Sequence, residues 1–198
     1  MKLLTKALAI LALVFFSIDT NAQKIKLREG DYSVIKGQAS VSVEFVYDGM
    51  SVGSYPDEQD YIKKKMDDYN KKEPGSGDRF AKAWVGDRKT RFEPAFKEKF
   101  EEYSKILIKP NSKYTMIFKT TSTEPGYNIY IKRKNAEIDA EVTIVETADR
   151  NKVIAVISIS NAPGRTFGGY DYETGVRIAE SYEVSGKRLG IFIEKGKD

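Results

Sequence analysis

The feature that most constrains the fold is a pair of neighbouring strand-like segments at residues 136–144 and 153–159. In the first segment apolar residues occupy every second position, from Ala136 to Ile144, and mostly acidic residues lie between them. Side chains alternate between the two faces of a strand, so this pattern predicts one apolar face and one solvated face. The second segment is apolar on both faces apart from Ser158, which is typical of an interior strand. Together they predict a β-hairpin around which the other elements pair or pack.

The remaining patterns predict an α+β fold of two layers, in which helices cover one face of a mainly antiparallel sheet. Short turns join the strands after residue 113, and short connections make neighbouring strands antiparallel. Small residues such as Gly186 recur at helical spacing in the last segment, which we expect to bring that helix close to the sheet. The predicted order is strand, helix, helix, three or four strands and helix. The strands are predicted at 39–47, 114–121, 127–132 and in the hairpin. The helices are predicted at 57–72, at 78–107 with a kink near Pro94, and at 172–195.

The first 22 residues have the composition of a secretory signal peptide. Lys2 and Lys6 precede an apolar run at residues 7–16, and small residues end the segment at Ala22. A membrane-spanning helix needs about 20 apolar residues, and this run is about half as long. We therefore predict a signal peptide over residues 1–22, an extended arm over residues 23–38 and one domain over residues 39–198, exported to the periplasm or the exterior of a Gram-negative cell.

The sequence contains no cysteine and no histidine. It therefore lacks the thiol nucleophile, the commonest metal ligand and the commonest general base, and we predict no metal site and no cofactor. Without cysteine, no lipid anchor remains after the signal peptide is removed. The net charge is +4, and basic residues are interspersed with acids, whereas nucleic-acid-binding proteins concentrate them on one face. We therefore predict no nucleic-acid partner.

Carboxylates offer the one catalytic chemistry that this composition leaves open. Glu137, Asp139 and Glu141 share one face of the predicted strand. A pair of carboxylates can hydrolyse a glycosidic bond when the two groups lie about 5 to 9 Å apart. The simpler interpretation, which we favour, is that these acids form the solvated face of the sheet.

Trp84 is the single tryptophan, and it lies in an aromatic row at helical spacing. Such a row predicts core packing, and the alternative is a ring that stacks on a sugar. Arg88 follows one helical turn later, so its guanidinium could lie over the Trp84 ring as a cation–π pair.

The loop at residues 163–171 is the best candidate for a ligand or partner site. Its glycines free the backbone, Arg165 suits a carboxylate or phosphate, and a helix amino terminus follows. A plain connection is the competing interpretation, and Asp171 is expected to cap the helix itself. The candidate binding residues are Arg165, Phe167, Gly168, Gly169 and Tyr170.

Several features of the sequence occur together in a known arrangement. They are an exported chain without cysteine, a helix that carries Trp84 and Arg88, antiparallel strands, Gly168-Gly169 and a long last helix. It resembles uncharacterised bacterial envelope proteins with a TolB-amino-terminal-like α+β domain. The resemblance covers residues 39–195 and implies a non-catalytic accessory or interaction module of the envelope. It brings no catalytic residues, and the absence of a lipid-attachment cysteine differs from the lipoprotein members.

Two functions follow from these patterns. The first is a non-catalytic, exported module that binds an envelope protein or a glycan. The second is a carboxylate-dependent glycan hydrolase. A closed helix-on-sheet layer with a shallow pocket favours the first, and a deep cleft with two carboxylates favours the second.

Overall fold

The computed structural model describes residues 23–129, 131–164 and 174–196. Its strands form one large mixed sheet and a separate two-stranded ribbon, so the predicted α+β class is confirmed. The strands are β1 (Lys24–Gly30), β2 (Ser40–Val46), β3 (Ser51–Val52), β4 (Leu107–Ile108), β5 (Tyr114–Glu124), β6 (Tyr127–Ile129), β7 (Lys132–Lys134), β8 (Ala136–Glu146) and β9 (Asp149–Gly164).

Four α-helices are described: α1 (Glu58–Lys72), α2 (Ser76–Asp87), α3 (Glu93–Ser104) and α4 (Thr174–Lys195). The Asp57 side chain caps α1 by accepting a hydrogen bond from the Gln59 amide. A π-helical turn, Arg88–Phe92, joins α2 to α3 where Pro94 predicted a kink. Proline has no backbone N–H, so the ladder of helical hydrogen bonds has to rearrange at this point.

The predicted hairpin forms the middle of the large sheet, whose strand order is β1-β9-β8-β5-β2-β4. β8 pairs with β9 and with β5, and both pairings are antiparallel. β2 instead runs parallel to β5, because the helices α1 to α3 form the crossover between these two strands. The segment predicted as one strand at 127–132 is the small β6–β7 hairpin.

The segment predicted as an extended arm, residues 23–38, is part of the domain. β1 pairs antiparallel with β9, and a 3₁₀ turn, Tyr32–Ile35, follows with Ile35 fully buried. The alternation of Lys24, Ile25, Lys26 and Leu27 was the available signal, since Ile25 and Leu27 face the core.

Aromatic rings fill the space between the sheet and the helices. Phe96 of α3 packs against Phe45 of β2 and Phe118 of β5, with ring centroids 5.4 and 4.7 Å apart. Tyr182 of α4 stacks on Phe92 with centroids 5.1 Å apart. The opposite face of the sheet carries the exposed Glu141, as the acid pattern predicted.

Gly186 and Gly190 of α4 face α3, whereas the sequence analysis placed them against the sheet. A Cβ atom on Gly186 would lie 2.3 Å from the Phe96 carbonyl oxygen, and one on Gly190 would lie 2.9 Å from the Ser104 amide nitrogen. The two helices therefore approach at backbone distance. Helical periodicity identifies a row of small residues but does not say which element lies against it.

Candidate ligand-binding site

The residues predicted to bind a ligand, Arg165, Phe167, Gly168, Gly169 and Tyr170, lie outside the described residues, and so does Asp171. Pro163 and Gly164, assigned to this loop from the sequence, are instead the last residues of β9. The remaining segment is residues 165–173, and the structure describes the two residues that flank it, Gly164 and Thr174.

Both ends of this segment adjoin the turn at Pro125 and Gly126. A Cβ atom on Gly164 would lie 1.9 Å from the Arg177 carbonyl oxygen, so the end of β9 lies directly on the first turn of α4. The buried Arg177 side chain donates from Nε to the Pro125 carbonyl oxygen at 3.3 Å. The described residues that flank the segment therefore lie beside this turn.

A carboxylate of the protein lies against the start of α4, where the sequence suggested space for an external anion. A Cβ atom on Gly175 would be 1.8 Å from Oδ2 of Asp87. Burial raises the pKa of Asp87, and its ion pair with Arg91 at 2.9 Å opposes that shift. The positive end of the α4 dipole favours this carboxylate, which competes with an anion from solution.

The described residues beside the Pro125–Gly126 turn form a cavity of about 330 Å³, which we call the tyrosine pocket. This volume is within the range of small-ligand sites. Its side chains combine three tyrosine rings with charged groups. They are Tyr55, Tyr61, Tyr127, Lys65, Glu124 and Lys134.

Three elements position the rings. Tyr55 follows β3 and exchanges two backbone hydrogen bonds with Val52, each 2.9 Å long. Tyr61 lies in the first turns of α1, and its ring meets that of Tyr55 edge to face with centroids 5.8 Å apart. Tyr127 opens β6 and is 36% exposed, so its ring is accessible to a ligand.

Glu124 fixes the polar side of the pocket. Its carboxylate accepts hydrogen bonds from the Gly126 amide at 3.0 Å and from Lys134 Nζ at 2.5 Å. The bond to Glu124 raises the pKa of Lys134, so this amine stays charged at neutral pH. Lys65 Nζ lies 5.8 Å from the centroid of the Tyr61 ring. The pocket therefore offers aromatic faces, two cationic donors and one oriented carboxylate.

The acids of β8 do not contribute to this pocket. Asp139 accepts hydrogen bonds from Ser122 Oγ at 3.0 Å and from the Asn161 amide at 2.7 Å, so its carboxylate supports an irregularity in β9. Glu141 is exposed and pairs in register with Lys119. Glu124 is the single carboxylate among the described lining residues, whereas a glycosidase uses two.

A second polar cluster lies beneath α1, and it corrects the prediction for Arg88. Trp84 is 5% exposed, which confirms it as core, and its indole donates to Glu58 Oε1 at 2.6 Å. Arg88 pairs with the Glu58 carboxylate, and its guanidinium lies 4.2 Å from the centroid of the Tyr47 ring. The buried carboxylate attracts the arginine away from Trp84, whose ring is not available to stack on a sugar.

The described residues contain no group of three or more acidic side chains arranged to hold a metal ion. Within the same residues, no helix combines the length and apolar character that crossing a membrane requires.

Sequence reasoning missed all three tyrosines of the pocket. Tyr55 and Tyr127 each follow a glycine-containing turn, which is a weak sign of an exposed ring. Their proximity depends on the parallel pairing of β3 with the end of β5, which places residue 52 beside residue 123. No local pattern in the sequence indicates that pairing.

Comparison with known proteins gives no family. No family model matches the chain, and no curated protein matches it. Two solved dodecamers of PelC from Paraburkholderia phytofirmans are similar in structure. The first, a single-substitution variant, has a TM-score of 0.34 at 11% identity, over 84% of this chain and 99% of that chain. The second has a TM-score of 0.36 at 9% identity, over 82% of this chain and 96% of that chain.

Proposed function

We propose that this protein is an exported, non-catalytic binding module of the bacterial envelope, and that it binds a glycan in the tyrosine pocket. The observation that carries the proposal is the combination of three tyrosine rings with an oriented Glu124–Lys134 pair in one open cavity. Apart from this cavity, the proposal draws on the signal-like amino terminus and on the resemblance to envelope accessory proteins.

A glycan matches the chemistry of this pocket. A sugar ring has a face of C–H groups that packs on an aromatic ring, and a rim of hydroxyl groups that donate and accept hydrogen bonds. Tyr127 supplies an accessible ring with low conformational entropy. Glu124 can accept from a sugar hydroxyl, and Lys65 and Lys134 can donate to one.

The segment at residues 165–173 is proposed to complete this site. Its two ends adjoin the Pro125–Gly126 turn, which also lines the pocket. Arg165 and Phe167 would add a third cation and a further ring to the same set of chemical groups.

A binding role without chemistry is supported by the residues that the chain offers. Histidine and cysteine are absent from the whole sequence, and the pocket combines its one described carboxylate with tyrosine and lysine. Glu124 is held by two hydrogen bonds, which suits the recognition of a hydroxyl group.

Binding is tested by calorimetric titration with soluble peptidoglycan fragments and a panel of neutral and acidic oligosaccharides. We expect one or more of them to bind, and Tyr127→Ala to weaken that binding about tenfold through the lost ring contact, which corresponds to about 1.4 kcal/mol. The matched control is Tyr103→Ala, since Tyr103 packs beside Lys187 and does not line the pocket. Equal binding by Tyr127→Ala and the parent protein would contradict the proposal.

Export is tested separately by mass spectrometry of the protein made in its native host. Cleavage of the predicted signal peptide leaves a chain that begins at or close to Gln23. A chain that retains residues 1–22 would contradict the exported assignment without bearing on the tyrosine pocket.

A further inference from the structure

A second groove lies at the edge of the sheet formed by β1. It runs between this strand and the carboxyl-terminal half of α4, with a volume of about 570 Å³. Ile25, Leu27, Ile191 and Phe192 give it an apolar floor, and Phe192 packs on Tyr32 with ring centroids 4.8 Å apart. None of these residues lines the tyrosine pocket.

The outer edge of β1 is unpaired within the part of the chain that the structure describes. β1 is the terminal strand in the sheet order, and among the described residues β9 is its single strand partner. A terminal strand presents a row of backbone N–H and C=O groups to which a further strand can pair. An extended peptide that enters the groove therefore finds both a hydrogen-bonding edge and an apolar floor.

The side chains of β1 determine which peptide fits. Ile25 and Leu27 face the core, in register with Ile159 and Ile157, while Lys26 faces the other side in register with Ser158. A strand paired with β1 would place alternate side chains beside the apolar floor and beside the exposed Lys24 and Lys26. The complementary sequence alternates apolar and acidic residues.

Charge around the groove favours the same partner. Three basic residues, Lys24, Lys26 and Arg188, line the groove, and its described lining contains no acidic residue. Glu29, the one acid of β1, lies outside that lining. Opposite charges on directly paired strand positions are stabilising and like charges are destabilising. The basic excess of β1 therefore disfavours pairing with the β1 edge of a second copy.

We propose that the β1 edge binds an extended segment of a partner protein in which acidic and apolar residues alternate, by addition of a strand to the sheet. Main-chain hydrogen bonds then supply affinity, and the alternating side chains supply specificity. This site is independent of the proposed glycan pocket.

The test uses the protein expressed from the full-length sequence and an eight-residue fluorescent peptide in which glutamate alternates with valine. We expect saturable binding by fluorescence anisotropy that weakens as salt is raised, because the attraction is partly electrostatic. We expect Lys26→Glu to reduce affinity about tenfold or more, since it turns an attraction into a repulsion. Lys63→Glu is the matched control, because it makes the same charge change at an exposed position of α1 outside the groove.

Two further peptides decide between strand addition and other modes of binding. A copy with methylated backbone amides should lose binding, since it cannot pair with the strand edge, and a lysine–valine copy should not bind. Equal binding of the methylated peptide would overturn strand addition. A concentration-dependent dimer that the acidic peptide does not dissociate would overturn the assigned partner and identify a second copy as the occupant.

Discussion

At the residue scale, the most consequential contact is the buried pair of Glu58 and Arg88. Their side chains are 10% and 18% exposed, and Glu58 also accepts from Trp84. The Glu58 carboxylate is tolerated in this buried position because Arg88 neutralises its charge and Trp84 donates a hydrogen bond to it. Burial raises the pKa of the neighbouring Tyr47 far above its ordinary value, so its hydroxyl stays neutral.

Removal of one partner of this pair is therefore expected to be costly. Arg88→Met keeps most of the side-chain volume but leaves the Glu58 carboxylate buried without its cation, which should destabilise the fold by about 3 to 5 kcal/mol. Urea denaturation measures the loss. The double variant Glu58→Gln, Arg88→Met should recover most of it, because the glutamine still accepts from Trp84 and is uncharged. A double variant as unstable as the single one would contradict this account.

Glu137 illustrates the opposite case, a charge without adequate compensation. Partial burial and the nearby Asp139 and Glu124 raise its pKa above the ordinary value of 4.5, and Lys134 opposes that shift. A raised carboxyl pKa means that the folded state holds the proton more tightly. Stability is therefore lost as pH rises from below 4.5 through the folded-state pKa.

Glu137→Gln is accordingly expected to stabilise the protein at pH 7 by at most about 1 kcal/mol, since solvent screens a half-exposed group. The gain should shrink to nothing well below pH 4.5, where both states carry the proton. Urea denaturation across this pH range provides the measurement. Glu141→Gln, an exposed change on the same strand face, should stay within about 0.5 kcal/mol throughout. A gain that is independent of pH would refute the electrostatic explanation.

At the element scale, close packing of α4 on α3 depends on glycines, and this gives a matched pair of substitutions. Gly186→Ala places a Cβ atom 2.3 Å from the Phe96 carbonyl oxygen, and overpacking of this kind costs about 1 to 3 kcal/mol. Gly86→Ala in α2 meets no atom within 4 Å and should stabilise by about 0.4 to 1 kcal/mol. Thermal unfolding compares the two. Stabilisation by both changes would mean that α4 does not contact α3 as described.

The helices and strands also show which sequence signals were sufficient to predict secondary structure. The β8–β9 hairpin and the irregularity near Pro94 were predictable because strand periodicity and proline act locally. The extended arm was wrongly separated from the domain because Ile25 and Leu27 give too short an alternation to identify a strand alone. Parallel pairing of β2 with β5 joins residues about 70 positions apart and has no local signal.

At the scale of the whole molecule, the candidate site arises where distant turns meet. The described residues that flank the segment containing Arg165 lie beside the Pro125–Gly126 turn, so the site predicted there from the sequence stays a prediction. The sequence did not indicate the tyrosines, since Tyr55 and Tyr127 come together only when β3 pairs with the end of β5. A ligand site assembled by topology is visible only in the folded chain.

The most direct test of the glycan-binding proposal is an NMR titration of isotopically labelled protein with the oligosaccharide that binds most tightly in the calorimetric panel. We predict saturable shift changes centred on Tyr55, Tyr61, Tyr127 and the Gly126 amide, with the β1 edge unchanged. Shift changes centred on any other surface, or no saturable change at the tyrosine pocket, would contradict it.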